Sequence, residues 1–302
     1  LMLRDQTEIS TKDCYFISDT EDTLKVDGKN NTLILRLYPN YKGEAVECGM
    51  LDNASYIEYA YSFSNEDYRF GFKIRFVNME DYLYANKHDY TLVWNAQPEC
   101  VEKNYEYEKN ITSVYYMDNV NEVDNLDERK DDKKDFTSPL KWVSFKQQFF
   151  TTCLIVDDEP FQSGTLSVNV PDKSEQSVLK NCNAELDFEI KDLNKGDFGM
   201  SMYVGPNQYK LLKTYGMKLE RQVPLGWGFF LLHWVNRFVI IPVFNWLEAY
   251  GLSYGLIILI LTIFIKIVVL PVSYKTYMSS AKMRALKPEI EAINARYPKD
   301  ED

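Results

Sequence analysis

The sequence of 302 residues predicts a mainly β fold followed by apolar helices, and three observations support this prediction. Residues 1 to about 204 contain many short runs in which apolar and polar side chains alternate, as expected for strands with one buried face. No amphipathic helices separate these runs, which favours an antiparallel sandwich over a parallel sheet. Residues 252–272 then form an apolar stretch with one ionisable side chain.

The clearest strand runs from Tyr68 to Phe76, where aromatic and aliphatic residues alternate with Arg, Gly and Lys. The charged stretch Asp118–Asp135 is predicted as a solvated, mobile loop, with a binding tail as the alternative. A short helix from Pro206 to Gly216 closes the domain, and Gly216 is placed to stop it. Further strand-like runs begin at Thr32, Ser55, Thr91, Ser113, Trp142, Gly164, Ala184 and Gly199.

The net charge of −11 is unevenly distributed along the chain. After Pro224 there are eight basic and six acidic residues, a net charge of +2, which leaves −13 for residues 1–224. An acidic domain is a poor partner for nucleic acid, because binding phosphates requires clustered Lys and Arg. The two parts are therefore predicted to lie in different solvents.

Leu252–Val272 has the length of a membrane span, since about 1.5 Å per residue covers the roughly 30 Å of a bilayer core. The alternative is a buried helix of a soluble protein, but such helices are seldom apolar on every face. Lys275 and the basic residues that follow it predict a cytoplasmic C-terminal segment. The acidic domain is then outside, in the periplasm if the organism is a bacterium.

The segment directly before the span, residues 226–250, is also apolar but contains several polar side chains. Its pattern predicts a helix lying in the membrane interface, with its Trp residues at headgroup level. The alternative is a second membrane crossing that forms a helical hairpin with the span. The side chains assigned to the interfacial helix are Trp227, Trp234, Arg237 and Trp246.

Lys266 is the most informative ionisable residue, because a charge at the centre of a span costs about 2.5 to 3.5 kcal/mol. It is followed by six more apolar residues, which place it deep for a side chain that snorkels to the interface. Thr262, Leu270 and Ser273 share its helical face. We therefore predict a hydrophilic, water-filled groove at this face, with snorkelling as the alternative.

The segment after the span begins as a basic helix and carries Lys282, Arg284 and Lys287 close to the membrane. Pro288 predicts a break or a new helix start there. The apolar positions recur at heptad-like spacing, which favours a helical hairpin or a coiled coil. These positions are Met283, Leu286, Ile290 and Ile293.

Recognisable catalytic chemistry is scarce in this sequence. His88 and His233 are the two histidines, and no phosphate-binding loop, nucleophile elbow, HExxH or CxxC motif occurs. Carboxylates are numerous enough to supply a pair for glycoside hydrolysis, yet no pair stands out. All five cysteines lie in the outer domain, and their odd number leaves at least one unpaired. No metal and no cofactor are expected.

Five stretches together resemble the YidC-type membrane protein insertases of Gram-negative bacteria. They are KWVSFKQQFF from Lys141, YVGPNQYKLL from Tyr203, GWGFF from Gly226, NRFVIIPVFNWL from Asn236 and LTIFIKIVVLPVSYKTYMSSAKMRALKPEIEAI from Leu261. The resemblance implies a periplasmic β-supersandwich over residues 1–215, an amphipathic helix on the periplasmic surface over 226–250, a transmembrane helix over 251–274 and the start of a cytoplasmic helical hairpin over 275–302. It also implies another helix before residue 1 and further spans after residue 302.

The function implied by this resemblance is insertion of newly made proteins into the inner membrane, alone or with the Sec translocon. The ribosome and the signal-recognition receptor are further candidate partners, and no bond is made or broken. The family usually has Arg where this sequence has Lys266, which lacks a planar, bidentate guanidinium. Two alternatives are a membrane-anchored sandwich that binds carbohydrate, lipid or protein, and a sugar-processing enzyme.

Overall fold

A computed structural model describes residues 1–19, 23–26, 31–39, 55–65, 67–84, 88–157, 159–171, 177–224 and 234–296. The chain divides into two compact units, Leu1–Val223 and Pro224–Asp302. The first unit is built almost entirely of strands, and the described part of the second is helical.

The first unit has thirteen described strands, two short α-helices and two 3₁₀ turns. The helices are α1 (Tyr105–Ile111) and α2 (Tyr209–Thr214), and the turns are Thr11–Asp13 and Leu219–Gln222. The strands are β1 (Phe16–Ser18), β2 (Thr32–Leu37), β3 (Tyr56–Ser62), β4 (Arg69–Val77), β5 (Asp89–Ala96), β6 (Ser113–Asp118), β7 (Val123–Asn125), β8 (Asp132–Phe136), β9 (Leu140–Lys146), β10 (Phe150–Val156), β11 (Ser163–Asn169), β12 (Asn181–Glu189) and β13 (Asp197–Pro206).

These strands form two sheets, and neighbouring strands are antiparallel throughout. The larger sheet has nine strands in the order β1-β2-β3-β4-β13-β10-β9-β6-β7. The smaller has four, in the order β5-β12-β11-β8. The predicted mainly β sandwich, followed by apolar helices, is confirmed.

The larger sheet is buried on both faces along its central strands, because alternate side chains point in opposite directions. Val143 and Phe145 belong to the main core, which also contains residues of the smaller sheet such as Leu166 and Leu186. Trp142, on the opposite face, belongs to a second cluster. That cluster includes Leu212 of α2 and Leu219, so the end of the unit folds back over the outer face of the larger sheet.

The charged stretch Asp118–Asp135 is not a loop, and the prediction of a mobile segment there is wrong. It contains β7 and most of β8, and β8 pairs along its length with β11. β8 is an edge strand, where charged side chains can stay in water while the backbone pairs on one side. The charges correctly predicted that these side chains lie in solvent, but they gave no sign that the backbone forms strands.

The strand-like run that begins at Trp142, predicted to extend to Val156, is two strands rather than one. β9 and β10 form a hairpin, closed by a hydrogen bond of 2.8 Å from the Gln147 N–H to the Phe150 carbonyl. Helix α1 was not predicted, although Asn104 is a typical N-cap and accepts from the Tyr107 N–H at 3.1 Å. The predicted helix ending at Gly216 is present in shorter form as α2, and Gly216 has φ of 71°.

The second unit contains a π-helical segment, Asn236–Ile240, that continues into helix α3 (Ile241–Glu248). After a turn, helix α4 runs from Tyr254 to Arg296. At 43 residues it is about 65 Å long. Pro271 and Pro288 both lie inside it, so the predicted break or new start at Pro288 is wrong. Each proline removes a single backbone donor, and the helix continues on both sides.

Candidate functional site

Helix α4 has the length and composition of a membrane span. Its most apolar 18 residues have a mean hydropathy of 2.8, and 11% of that window is buried. Large apolar side chains are exposed around most of the helix, among them Ile258, Leu259, Phe264 and Ile267. Such a surface needs an apolar solvent. The helix is about twice as long as a bilayer core is thick, so its C-terminal half extends beyond the span.

The continuous helix brings Thr262, Lys266, Leu270 and Ser273 onto one face, at spacings of four, four and three residues. Lys266 is exposed, and no ion pair to it is present among the described residues. The Thr262 hydroxyl donates to the Ile258 carbonyl at 2.7 Å, which satisfies it within the helix. Within the apolar stretch 254–272, which the structure describes completely, Lys266 is the only charged side chain.

The junction between α3 and α4 is a packed corner. One buried apolar cluster contains Leu247 of α3 together with Ile257 and Leu261 of α4. The rings of Phe244 and Tyr254 stack at 6.0 Å. Gly251 has φ of 70° in the turn between the helices, a conformation that favours glycine. The glycine between two apolar segments is a signal for a turn in the sequence, but the packing of the two helices at this corner was not predicted.

Across the same corner, the Tyr254 hydroxyl donates to Glu248 Oε1 at 3.0 Å. This bond gives the carboxylate at the end of α3 a partner from the first turn of α4. Together with the apolar cluster, it fixes the place where the chain enters the span.

Two of the side chains predicted for the interfacial helix, Trp234 and Trp246, each pair with another aromatic ring. The Trp234 and Phe238 rings are 5.5 Å apart, and Trp246 and Tyr250 meet edge to face at 5.2 Å. The Arg237 guanidinium lies 5.6 Å from the Phe238 ring centroid. All four rings are exposed, a composition typical of helices at a membrane surface. Trp227, also predicted for this helix, and His233 lie outside the described residues.

The basic residues after the span lie on the same helix as Lys266. Lys282, Arg284 and Lys287 are exposed, and Lys287 pairs with Glu291 at 3.8 Å. Three members of the predicted apolar stripe are also exposed: Met283, Leu286 and Ile290 keep 58%, 45% and 39% of their surface accessible. The side chain of the fourth, Ile293, lies outside the described part of the chain. This half of α4 therefore offers an apolar stripe flanked by positive charge.

The first unit shows no catalytic constellation among its described residues. No group of His, Cys, Asp and Glu side chains that could hold a metal is found in that part of the chain. Four cysteines are free: Cys14, Cys100, Cys153 and Cys182. Burial raises the pKa of Cys182 to about 12 and raises that of Cys153 well above its ordinary value. Buried protonated thiols are inert, and Cys48 lies outside the described residues.

Comparisons with known proteins agree with this architecture. A family model described as YidC periplasmic domain matches residues 50–237, and one described as 60Kd inner membrane protein matches residues 246–302. A membrane protein insertase YidC from Bacteroides fragilis is 38% identical over 257 residues, covering 83% of this chain and 41% of that protein.

Two further proteins of the same name are similar over nearly the whole chain. The one from Phocaeicola vulgatus is 34% identical, and the matched region covers 97% of this chain and 45% of that protein. The one from Porphyromonas gingivalis is also 34% identical, covering 99% of this chain and 46% of its own length. The chain thus spans less than half the length of these relatives.

Proposed function

Because the chain belongs to the family of YidC-type membrane protein insertases, we propose that it forms part of a protein that inserts newly made proteins into the bacterial inner membrane. It is an inner-membrane protein with a periplasmic domain. The single observation that supports the proposed activity best is Lys266, the one charge within the apolar stretch 254–272 of a helix long enough to span a membrane.

Lys266 gives an incoming segment a positive contact inside the bilayer. A membrane-embedded ammonium is tolerated where water or an opposite charge reaches it, so its face of α4 is proposed as one wall of a hydrophilic groove. Thr262, Leu270 and Ser273 line the same wall. The groove shortens the apolar distance that a polar, acidic flank of the substrate has to cross, and the opposite faces of α4 release the substrate helix into lipid.

The C-terminal half of α4 is proposed to lie in the cytoplasm and to receive the substrate first. Lys282, Arg284 and Lys287 would sit close to anionic headgroups, which attract basic segments. The exposed apolar stripe beside them suits packing against a partner helix. The Sec translocon is the proposed partner in insertion, and the ribosome and the signal-recognition receptor are further candidates at this segment.

In this mechanism the protein makes and breaks no covalent bond. The free energy for insertion comes from moving the apolar part of the substrate into lipid, and the protein lowers the barrier for its polar part. The periplasmic domain is proposed to support this process rather than to carry it out.

A membrane-anchored binding module is the second candidate. The observation that favours it is a mainly apolar cavity of about 360 Å³ in the first unit, lined among others by Leu37, Ile57, Met79 and Tyr82. Its volume lies at the lower end of small-molecule sites. For such a module α4 is a mere anchor, which leaves Lys266 without a role.

A deletion experiment separates the two. The protein of full family length is expressed, with and without residues 1–200, in cells depleted of their own insertase, and membrane insertion of reporter substrates is measured. The insertase account predicts that most insertion survives the deletion. Complete loss of insertion by a deletion variant that still reaches the membrane would contradict it. The binding-module account predicts that neither form inserts the reporters.

A further inference from the structure

One end of the nine-stranded sheet exposes a group of apolar side chains, Tyr68, Phe149, Phe150 and Val204, here called the aromatic end. Between 47% and 60% of each is accessible. Their neighbourhood follows from the strand pairing: the Val204 N–H donates to the Tyr68 carbonyl at 3.0 Å, and Phe150 lies opposite Pro206. A clustered apolar surface of this kind marks an interaction site more often than scattered single residues do.

The aromatic end is held rigidly. The Asn207 side-chain amide donates to the Gln147 carbonyl at 2.8 Å and to the Phe150 carbonyl at 3.1 Å. Its backbone N–H donates to the Phe149 carbonyl at 2.7 Å. These bonds fix the turn of the β9–β10 hairpin against the end of β13. The two phenylalanines are thus presented to solvent by an ordered turn.

Positive charge lies beside this end, in contrast to the rest of the unit. Residues 207–224 carry four basic residues and one acidic residue, a net charge of +3, whereas residues 1–206 carry −16. Lys210 and Lys213 of α2 are exposed, and α2 begins two residues after Asn207. Aromatic side chains next to exposed lysines match the chemistry of an anionic lipid surface.

The chain also leaves the first unit at this end. The buried Gln222 side chain accepts from the Ser144 hydroxyl and, at 3.4 Å, from that of Thr151, the residue after Phe150. Twelve residues later the chain reaches Trp234, the first described residue of the predicted interfacial helix. Even fully extended, twelve residues span no more than about 43 Å. The membrane is therefore within short reach of the exit point.

We propose that the aromatic end contacts the periplasmic surface of the membrane. Phe149 and Phe150 would enter the headgroup region, and Lys210 and Lys213 would bind the phosphates of anionic phospholipids. This proposal depends on α4 being a membrane span but not on insertase activity. The contact would hold the acidic body of the domain in one orientation above the bilayer.

Photocrosslinking of the chain in lipid nanodiscs tests the proposal. The photoreactive residue p-benzoyl-phenylalanine replaces position 149, 150 or 120, and adducts are identified by mass. Val120 is the matched control, because it is 74% exposed in the β6–β7 connection, at the opposite end of the same sheet. We expect phospholipid adducts from positions 149 and 150 that exceed those from position 120 by at least about fivefold.

The charge component is tested in the same discs. Exchanging phosphatidylglycerol for phosphatidylcholine should lower the adduct yield, because the lysines then lose their anionic partners. Introducing Lys210→Glu with Lys213→Glu should lower it by about fivefold for each lysine replaced. Lys195→Glu, an exposed lysine in the turn before β13, should leave it unchanged. Equal lipid adducts at all three positions, or adducts to protein instead of lipid, would overturn the proposal. An adduct yield that stays the same after both the lipid exchange and the lysine substitutions would also overturn it. Because no substrate is present, the outcome is independent of insertion activity.

Discussion

The indole Nε1 of Trp142 donates a hydrogen bond of 2.9 Å to the carbonyl of Met217. Trp142 is fully buried in the centre of β9, and Met217 belongs to the segment that covers the outer face of the sheet. The bond therefore ties the last part of the periplasmic domain to its middle.

Replacing Trp142 should weaken the attachment of the segment around Met217 to the sheet and lower the free energy of unfolding. Trp142→Phe removes the hydrogen bond and leaves the Met217 carbonyl without its indole partner, at a cost of about 1 to 3 kcal/mol. Trp142→Ala adds a cavity and should cost about 3 to 5 kcal/mol. Pulse proteolysis of the purified chain in urea measures both. Tyr107→Ala, at an exposed position of α1, is the control and should stay close to wild type.

Glu58 lies between two arginines from neighbouring strands. It pairs with Arg36 on β2 and Arg75 on β4, each at 3.0 Å, and its side chain is 4% exposed. Glu58→Ala should destabilise the domain by about 3 kcal/mol, because two guanidinium groups lose their partner and face each other. Lys73→Ala breaks an exposed pair with Asp197 and should cost less than about 1 kcal/mol. Equal effects of the two substitutions in urea unfolding would contradict this account.

Gly216 ends α2 with a φ of 71°, and an added Cβ would meet no atom within 4 Å. Gly216→Ala should therefore be destabilising through backbone strain alone, by about 1 kcal/mol. Gly71 in β4 has ordinary strand geometry, and its added Cβ would make a normal contact 3.5 Å from Ser62. Gly71→Ala should be neutral or slightly stabilising. Thermal unfolding of both variants gives the comparison.

The buried thiols should react only when the domain opens. With a pKa of about 12 for Cys182, its thiolate fraction at pH 8 is roughly 1,000-fold below that of a free thiol. Maleimide labelling with peptide mapping should modify Cys14 and Cys100 first, and Cys153 and Cys182 only after urea is added. Rapid labelling of Cys182 in the folded chain would show that this core is open.

The same burial makes stability depend on alkaline pH. Unfolded thiols lose their protons above about pH 8.5, whereas Cys182 keeps its proton in the fold until about pH 12. The folded state therefore binds more protons over this window, so stability is full below pH 8.5 and falls as the pH rises towards 12. In Cys182→Ala this part of the fall should disappear, as measured by urea unfolding at pH 8 and pH 10.

The fold class could be predicted because its signals are local. The alternation from Tyr68 to Phe76 predicted β4, and the apolar stretch Leu252–Val272 predicted the span within α4. The order of the strands could not be predicted, because β4 pairs with β13 across about 130 residues and no short sequence pattern encodes that pairing. Charge misled the prediction at β8, where an edge strand carries side chains typical of a loop.

The candidate site was visible in the sequence only as a face of one helix. The spacing of Thr262, Lys266, Leu270 and Ser273 predicted that face, and the continuous helix α4 provides it. The corner formed by Leu247 and Ile257 could not be predicted, because it depends on how the turn at Gly251 folds α3 back onto α4. The aromatic end was missed for a similar reason, since Tyr68 and Phe150 meet only through the sheet.

The charge of Lys266 is the most direct test of the proposed function. In cells depleted of their own insertase, the protein of full family length is compared with its Lys266→Ala, Lys266→Arg and Lys275→Ala variants at matched expression, using substrates with and without acidic flanks. We expect Lys266→Ala to slow insertion of the acidic substrates by roughly tenfold, the effect of losing one favourable charge contact. Lys266→Arg and Lys275→Ala should insert them normally. Normal insertion of every substrate by Lys266→Ala would contradict the account.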